Sequence, residues 1–590
     1  MQLATIDWVI IALFFALTML IGLLVSKKAG SSSAEFFLGG RSMPWWLLGV
    51  SMVATTFSAD TPNLVTDIVR NNGVAGNWAW WAFLLTGMLT VFVYAKLWRR
   101  SGITTDLEFY ELRYSGKEAR FLRGFRAIYL GVFFNVMIMA TVMLAGIKIG
   151  GILLGLSSVT TVLIVSVVTV IYSSIGGFKG VIYTDFFQFI IAMIGMVWAS
   201  IYIVNMPEIG GLTNLLAHPT VQPKLSFLPD FNNMEVLVPL LIIPIAVQWW
   251  SVWYPGAEPG GGGYIAQRML SAKDEKNAIT ATLFFNVAHY ALRPWPWILI
   301  ALASMIVFPN VSDIASKFPN MDPAFVKDDL AFSAMLSYLP AGLMGIVIAA
   351  LIAALMSTIS THLNWGSSYV VNDFYQRFIK PEASEKELVQ VGRLSTVLLM
   401  ILAAVFALFL TNALQAFNIL LQIGAGTGLL FILRWFWWRV NAMSEIVAMI
   451  FSFIIAIVME LVVKDQLLSH EKLVIGVLLT TIVWVVTALF TKPTDQKVLV
   501  NFYKMIRPHA MGWQPVVNQG IKDGVITNEH TGTGRLATEI LMMVLGCAGI
   551  YALLFGTGYL IYGQMTNAAL ALLVAGLSAF GLKKLWGSIN

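Results

Sequence analysis

The sequence predicts an all-α protein that crosses a membrane many times. Of its 590 residues, 58% are hydrophobic and 12% are charged, which is about half the charged fraction of an average soluble protein. The mean hydropathy is +0.78, and the apolar residues form runs of roughly 20, the length at which a helix crosses a bilayer. These features exclude a soluble enzyme, a nucleic-acid-binding protein and a disulfide-stapled secreted domain, and the single cysteine, Cys547, can form no internal disulfide.

About 15 apolar runs qualify as transmembrane segments. The first run has neither a charged n-region nor a clear cleavage site, so it is predicted to be a span and not a signal peptide. No GxxxxGK[ST] motif is present, which argues against ATP-driven transport. The predicted spans cover about residues 6–26, 43–72, 75–98, 121–152, 156–175, 181–204, 235–255, 275–308, 341–375, 390–411, 414–438, 442–464, 473–491, 537–563 and 567–585.

The distribution of positive charge predicts the orientation in the membrane. With the N-terminus outside, most of the 37 Lys and Arg residues fall in inside loops; Arg99, Arg100 and Arg268 are among them. The sequence therefore predicts a multi-pass protein of the cell membrane with a cytoplasmic C-terminus. The longest inside segment, residues 492–536, is too short for a catalytic domain.

Two spans are interrupted in the middle. The first reads WWLLGVSMVATTFSADTPNLVTDIV, and the second ends in VQWWSVWYPGAEPGGGGYIAQRML, where Pro and Gly cannot continue a helix. Irregular backbone at membrane depth survives only where protein or a water-filled cavity satisfies it. Without the first span, the two broken helices each begin a group of five, and interruptions at matching positions are typical of transporters built from inverted repeats.

Three motifs resemble the sodium:solute symporter family, which has the LeuT-type 5+5 inverted-repeat fold. They are SMVATTFSAD, IGGFKGVIYTDFFQ and LIAALMSTISTHLNWGSSYVVNDFY. The resemblance implies an extra N-terminal helix and inside loop in 1–42 and a transport core in 43–440. The two repeats of that core are about 43–205 and 235–440, and the parts that follow it are two accessory helices in 441–491, a cytoplasmic segment in 492–536 and two C-terminal helices in 537–590.

The same resemblance implies two sodium sites. The principal site uses backbone carbonyls from the unwound first core helix and from the eighth, plus two hydroxyls. A second site, found in some members, uses an aspartate on the fifth core helix and hydroxyls on the eighth. The matching residues are Ala54, Phe57, Ala354, Ser357 and Thr358 for the principal site, and Asp185, Ser360 and Thr361, together with Ser357, for the second.

The residue types support these sites independently of the resemblance. Hard cations prefer oxygen ligands, and Ser357, Ser360 and Thr361 lie at i, i+3 and i+4 on one helix face. An intramembrane carboxylate such as Asp185 is a functional candidate by default. The alternatives are that these hydroxyls bond to the preceding helical turn and that Asp185 caps its helix.

Candidate solute residues lie near the two breaks. Asp60 and Arg293 are buried charges that either contact the solute or form a structural ion pair with each other or with Glu258. In sugar-carrying members of the resembled family an amide and a carboxylate contact the sugar, and Thr61 and Trp80 stand at those positions here. That difference argues against galactose-like recognition. The full candidate set is Asp60, Thr61, Trp80, Tyr254, Glu258 and Arg293.

These observations predict a non-enzymatic symporter that uses Na⁺ entry to import a small polar organic solute by alternating access. Sugars, amino acids and carboxylates all fit this description. One alternative is proton coupling through Asp185, Asp60 or His289. Another is a substrate sensor with a transporter-like membrane domain, and a membrane enzyme is a third, although no convincing catalytic cluster is present. The sequence says nothing about oligomeric state.

Overall fold

The computed structural model describes residues 3–25, 31–252, 258–319, 321, 323, 326–410, 424, 426–463, 466–527 and 536–588. Within these ranges the regular structure is helical, as predicted. Eleven helices are long and apolar enough to cross a membrane, and three apolar helices are shorter. Residues 414–423 and 425 of the predicted span 414–438 lie outside the described residues.

The first half of the bundle begins with α1 and then contains the first broken helix. The predicted spans 156–175 and 181–204 correspond to the two parts of α6, the shorter apolar helix Ser158–Ile171 and the span Gly176–Val204. Helical geometry is interrupted between them at Gly177, where φ is 53° and ψ is −157°. The elements are α1 (Thr5–Val25), α2 (Trp45–Thr56), α3 (Thr61–Asn72), α4 (Val74–Ser101), α5 (Gly116–Leu154) and α6 (Ser158–Val204).

The second half begins with the second broken helix and ends with two helical hairpins. Its elements are α7 (Met234–Ala246), α8 (Gly263–Ser271), α9 (Glu275–Val307), α10 (Leu343–Ile379), α11 (Glu385–Phe409), α12 (Ala442–Val463), α13 (Ser469–Phe490), α14 (Leu536–Ile561) and α15 (Met565–Ser588). Shorter helices outside the spans are Ser33–Leu38, Leu212–Ala217, Val311–Lys317, Leu330–Leu336, Gln496–Ile506 and Gln514–Lys522.

The core is centred on α10, which is buried along almost its whole length. Helix α6 packs along α10, while α2 packs against both α6 and α9. The two broken helices also meet, because Met43 N–H donates to Ser271 O (3.2 Å) and Lys273 N–H donates to Met43 O (3.1 Å). This packing brings the end of α2, the middle of α6 and the hydroxyl-rich face of α10 together.

Candidate cation and solute site

The first break is created where α2 ends at Thr56 and α3 begins at Thr61. Pro62 lies in the first turn of α3, a position where its missing N–H is harmless. Phe57 leaves helical geometry, with φ −85° and ψ 69°, and its N–H donates to the carbonyls of Val53 and Ala54. Because the last carbonyls of a helix have no partner in the next turn, the end of α2 presents acceptors to neighbouring helices.

The hydroxyl of Thr358 on α10 reaches the end of α2. Its Oγ1 lies 2.9 Å from Thr55 O and 3.1 Å from Ala354 O. Three oxygens from two helices therefore converge at the position predicted for the principal cation site. Thr55 O was not among the predicted ligands. This carbonyl is available because the helix ends at Thr56. Phe57 packs its ring against Trp297, with 5.1 Å between centroids.

Asp185 on α6 is fully buried and lies between α2 and α10. Its Oδ1 accepts a hydrogen bond from Ser357 Oγ (2.6 Å), and its Oδ2 accepts one from Ser51 Oγ (2.5 Å). The Ser357 hydroxyl is thus bonded to Asp185 of the predicted second cation site and not to the oxygens around Thr358 at the predicted principal site. The alternative role for Asp185, a helix cap at the membrane interface, does not fit this geometry. Asp185 lies inside the helical part of α6 that follows Gly177 and not at a helix end.

An arginine completes the surroundings of Asp185. Arg268 on α8, counted from the sequence among the inside-loop cations, is fully buried. Its Nη2 lies 3.7 Å from Asp185 Oδ2 and donates to Thr361 Oγ1 (2.8 Å). Thr361 Oγ1 also lies 3.0 Å from Thr55 Oγ1. The sequence analysis missed Ser51 and Arg268 as members of this site. The available signal for Arg268 was an arginine in the first turns after the Gly-rich second break.

The predicted cation hydroxyls do not all face neighbouring helices. Ser360 Oγ donates to Ser357 O (3.0 Å) on its own helix, which is the back-bonded arrangement considered as the alternative. The structure therefore brings together Asp185, Ser357 and Thr361 and directs the hydroxyl of Ser360 elsewhere.

A second polar group lies on the other side of the first break. Thr56 Oγ1 is 3.0 Å from His289 Nδ1 and 3.2 Å from Arg293 Nη1, and Arg293 Nη2 is 3.2 Å from His289 Nε2. Since a guanidinium only donates, we assign Nε2 as an acceptor and place the ring proton on Nδ1, facing Thr56. The Thr56 hydroxyl donates in turn to Val53 O (3.0 Å). His289 is therefore neutral in this arrangement and holds Arg293 in place.

The remaining predicted solute residues separate into two regions. Asp60 and Thr61 lie at the start of α3, and the Trp80 ring packs at 5.7 Å from His289, so these three lie on the Arg293 side. Glu258 instead pairs with Arg126 of α5. It does not form the ion pair with Arg293 that was one of the open alternatives. Tyr254 lies outside the described residues.

The second break is fastened to the scaffold. Gly263 N–H donates to Asp106 Oδ2 (2.8 Å), Tyr369 OH donates to Asp106 Oδ1, and Trp98 Nε1 donates to Gly260 O (2.8 Å). Asp106 lies in the loop after α4, where burial and the neighbouring Glu258 carboxylate raise its pKa above the usual range. Gly260 and Gly263 on the α8 side of the second break are thus bonded to the scaffold, whereas among described groups on the α7 side the Ser251 hydroxyl has no hydrogen-bond partner.

Comparison with known proteins identifies the class. The model of the sodium:solute symporter family matches residues 36–452, which is more than half of the chain. The chain belongs to this family. It is accordingly a sodium-coupled solute symporter and not an enzyme, with Na⁺ and a small-molecule solute as its partners.

Individual members of the sodium:solute symporter family are similar at a lower level. The chain is 26% identical over 512 residues to the sodium/glucose cotransporter of Vibrio parahaemolyticus, covering 84% of this chain and 92% of the relative. It is 25% identical over 489 residues to sodium/glucose cotransporter 1 of Oryctolagus cuniculus, covering 76% and 71%. A solved Na⁺-coupled sialic acid symporter has a TM-score of 0.67 at 23% identity, covering 84% of this chain and 99% of the other, which supports the LeuT-type fold.

Proposed function

We propose that this symporter imports a small polar organic solute and that the driving sodium ion binds between the end of α2 and the middle of α10. The observation that carries the proposal is the position of Thr358 Oγ1, within 3.1 Å of carbonyl oxygens from both helices. A cation bound by ligands from two helices suits an alternating-access cycle. When either helix moves, the ligands separate and the ion is released.

The chemistry of the oxygens supports sodium at this position. Thr358 Oγ1, Thr55 O and Ala354 O are hard neutral ligands of the kind that alkali and alkaline-earth cations prefer. The carbonyls of Ala54 and Phe57 are further ligands in the proposal, since they flank Thr55 where the helix ends. Half-helix ends that coordinate the driving ion are a general feature of transporters with broken helices.

For a second sodium ion we propose the oxygens of Asp185, Ser357 and Thr361, without the Ser360 hydroxyl. Arg268 carries a positive charge 3.7 Å from Asp185 Oδ2, and two like charges at such distances repel strongly in a buried site. A second Na⁺ would therefore bind after Arg268 has moved away from Asp185, and the arrangement described here favours one bound ion.

The chemistry of the solute is constrained by the first break. Relatives include transporters named for glucose, mannose and myo-inositol, but Thr61 and Trp80 replace the amide and carboxylate that the family resemblance associates with sugar contacts. The solute group that we propose is Asp60, Thr61, Trp80 and Arg293. Glu258, which is bonded to Arg126, is assigned a structural role instead.

For the remaining parts of the chain, the proposal follows the charge distribution and the fold. Residues 43–440 form the transport core, with repeats at about 43–205 and 235–440. Residues 1–42, 441–491 and 537–590 supply accessory helices, and 492–536 forms a cytoplasmic connector. Inside-loop Lys and Arg favour a cell-membrane protein with its N-terminus outside and its C-terminus in the cytoplasm.

Sodium titration of purified variants tests the cation site without knowledge of the solute. An ion that binds the folded state raises the thermal midpoint, so Thr358→Ala should shift the stabilising sodium concentration upward by about tenfold or more, equivalent to about 1.4 kcal/mol. The matched control is Thr396→Ala, which removes a buried hydroxyl bonded to Gly392 O of its own helix. An unchanged titration for Thr358→Ala, with choline as the reference cation, contradicts this site.

Proton coupling predicts a different result. Uptake would persist when sodium is replaced by choline and would follow the pH gradient. The neutral, doubly bonded His289 ring does not favour that reading, because both of its nitrogens are already engaged by Thr56 and Arg293.

A further inference from the structure

Arg293 is a buried cation without a described counter-ion in contact. Its side chain is 2% exposed, and across the part of the chain that the structure describes no carboxylate oxygen lies within 4.0 Å of it. Its contacts are the Thr56 hydroxyl, the neutral His289 ring and the face of Trp297, 5.2 Å from the guanidinium. Charged groups inside a membrane protein are normally paired or functional.

Polar atoms at the first break are also left without partners. Among described groups, Arg293 Nε, Asp60 Oδ1 and Asn63 Oδ1 have no hydrogen-bond partner, although buried polar atoms usually have one. Asn63 is 4% exposed, and the Asp60 carboxylate does not cap its own helix α3. These unpaired donors and acceptors converge on the end of α2 and the start of α3, where a bound molecule would satisfy them.

The two unpaired charges have opposite signs. Asp60 directly precedes α3, four residues after Thr56, whose hydroxyl contacts Arg293, yet no Asp60 oxygen lies within 4.0 Å of the guanidinium. A guanidinium offers a fork of donors that matches a carboxylate, while a buried carboxylate favours an ammonium group. A ligand that carries both a carboxylate and an ammonium group would complement the two charges together.

An aromatic wall borders this group. The Trp80 ring lies 5.7 Å from the His289 ring and is stacked on Tyr290 at 5.8 Å with a 20° interplanar angle. Trp80 is only partly buried, whereas His289 and Tyr290 are buried. An indole face attracts cations, above all substituted ammonium groups, so Trp80 favours the positive end of the same ligand.

We propose that the transported solute is a zwitterion of amino-acid or betaine type, whose carboxylate is bound by Arg293 and whose ammonium group is bound by Asp60 and Trp80. This inference rests on the proposed function, because it places the solute beside the proposed sodium site. A neutral sugar would leave both charges unpaired. A monocarboxylate would leave Asp60 unpaired, and a simple amine would leave Arg293 unpaired.

A thermal-shift screen of the full chain in detergent tests the solute class. The probes are the protein amino acids and glycine betaine, compared with glucose, mannose, myo-inositol, lactate and pyruvate, each with sodium and with choline. We expect a sodium-dependent stabilisation by at least one zwitterion. A screen in which no zwitterion stabilises the protein, or in which a sugar or monocarboxylate alone does, overturns the proposal.

Charge-deleted analogues assign the two residues. For the amino acid with the largest shift, the primary amide removes the carboxylate charge and the N-acetyl derivative removes the ammonium charge. Each analogue should bind the wild-type chain about tenfold to 100-fold more weakly than the parent, since each loses a charge-assisted interaction. Equal binding of either analogue and parent contradicts the proposal, and this comparison needs no variant to fold.

Two variants complete the cycle. Arg293→Gln should weaken binding of the zwitterion about tenfold or more and have little effect on the amide, which has no carboxylate. Asp60→Asn should weaken the zwitterion to the same degree and have little effect on the N-acetyl derivative. A uniform loss for all ligands in either variant contradicts the assignment of that residue.

The sodium titration without solute separates this proposal from the proposed function. If sodium stabilises the wild type and Thr358→Ala abolishes that effect while zwitterions fail, the solute assignment alone is wrong. If a zwitterion binds but Thr358→Ala leaves sodium dependence unchanged, the cation site is wrong and the solute class stands.

Discussion

The two broken helices differ in how their breaks are satisfied. At the first break, Asp60 and Asn63 keep polar atoms without protein partners, and the α2 carbonyls are shared with Thr358 of a neighbouring helix. At the second break, Gly260 and Gly263 are bonded to the scaffold through Trp98 and Asp106. The α8 side of the second break, among the described residues, is therefore held by the protein itself, whereas the first break keeps polar atoms available to ligands.

This difference indicates a division of labour. A backbone break with unpaired acceptors is suited to binding ions and solute, because bound groups replace the missing partners. The backbone groups of Gly260 and Gly263, which are already bonded to Trp98 and Asp106, can transmit movement but offer little to a ligand. Substitutions at the second break should therefore affect folding first, and substitutions at the first break should affect binding first.

The largest effect is expected from Glu258→Gln. This change leaves Arg126 as a buried cation between Tyr110 and Phe431, and removal of one partner from a buried pair lowers the free energy of unfolding by about 3–5 kcal/mol. The measurement is thermal or denaturant unfolding in detergent. Glu258→Gln combined with Arg126→Met should recover much of the loss, and equal losses for the single and double variants would argue against the pair.

Asp185→Asn should have a smaller effect on stability and a specific effect on coupling. The amide keeps one oxygen for Ser357 but leaves Arg268 without its counter-charge, so we expect a loss of about 1–3 kcal/mol. Because the ligands near Thr358 are neutral and lie on other helices, sodium-dependent uptake should persist with a lower Hill coefficient and weaker accumulation.

The control for Asp185→Asn is the exposed exchange Asp523→Asn, which should change nothing. Complete loss of sodium binding in Asp185→Asn would place Asp185 in the principal site or in support of the fold. Uptake that became independent of sodium but dependent on pH would favour proton coupling.

Gly261→Ala tests the backbone of the second break. Gly261 has φ +92°, and an added Cβ would lie 2.5 Å from Met269 Cε. We expect a loss of about 1–2 kcal/mol from the left-handed conformation alone, with reduced transport at normal membrane insertion. Gly262, with an extended φ of −155°, is the matched control, and a Gly262→Ala variant that lost as much would show that φ is not the cause.

The smallest effect is expected from Ser360→Ala. The hydroxyl is bonded to Ser357 O within α10, so its removal should change the free energy of unfolding by less than about 0.5 kcal/mol. The sodium titration should be unchanged. A raised sodium requirement would restore Ser360 to the proposed second cation site and would weaken the distinction between hydroxyls that face neighbouring helices and those that do not.

Periodicity and breaker residues predicted the helical architecture but not the number of spans: among the described residues eleven helices, and not fifteen, are long and apolar enough to cross a membrane. The two interruptions, at Asp60–Pro62 and in the Gly-rich run ending at Gly263, correspond to breaks in the described residues, because no tertiary contact makes Pro or consecutive glycines good helix formers. The separation of the predicted spans 156–175 and 181–204 is confirmed, because the backbone of Gly177 leaves helical geometry between Ser158–Ile171 and Gly176–Val204.

Side-chain partners were less predictable than helices. The sequence placed Asp185, Ser357 and Thr361 in one group, but it could not reveal that Arg268, 83 positions after Asp185, is buried beside them. Likewise the cation considered for Glu258 was Arg293, and Glu258 pairs with Arg126 instead. Which side chains pair depends on the rotation of each helix about its axis. A family motif constrains that rotation only for the helices that carry the motif.

The first helix is tied to the core by a carboxylate near its beginning. Asp7 is 2% exposed, and its Oδ1 accepts the N–H groups of Gly342 (2.7 Å) and Gly345 (2.8 Å) at the start of α10. The partners are 335 and 338 positions apart in the chain. During synthesis this carboxylate therefore lacks its two glycine partners until α10 has been made, so the contact between α1 and α10 closes a long loop and forms late.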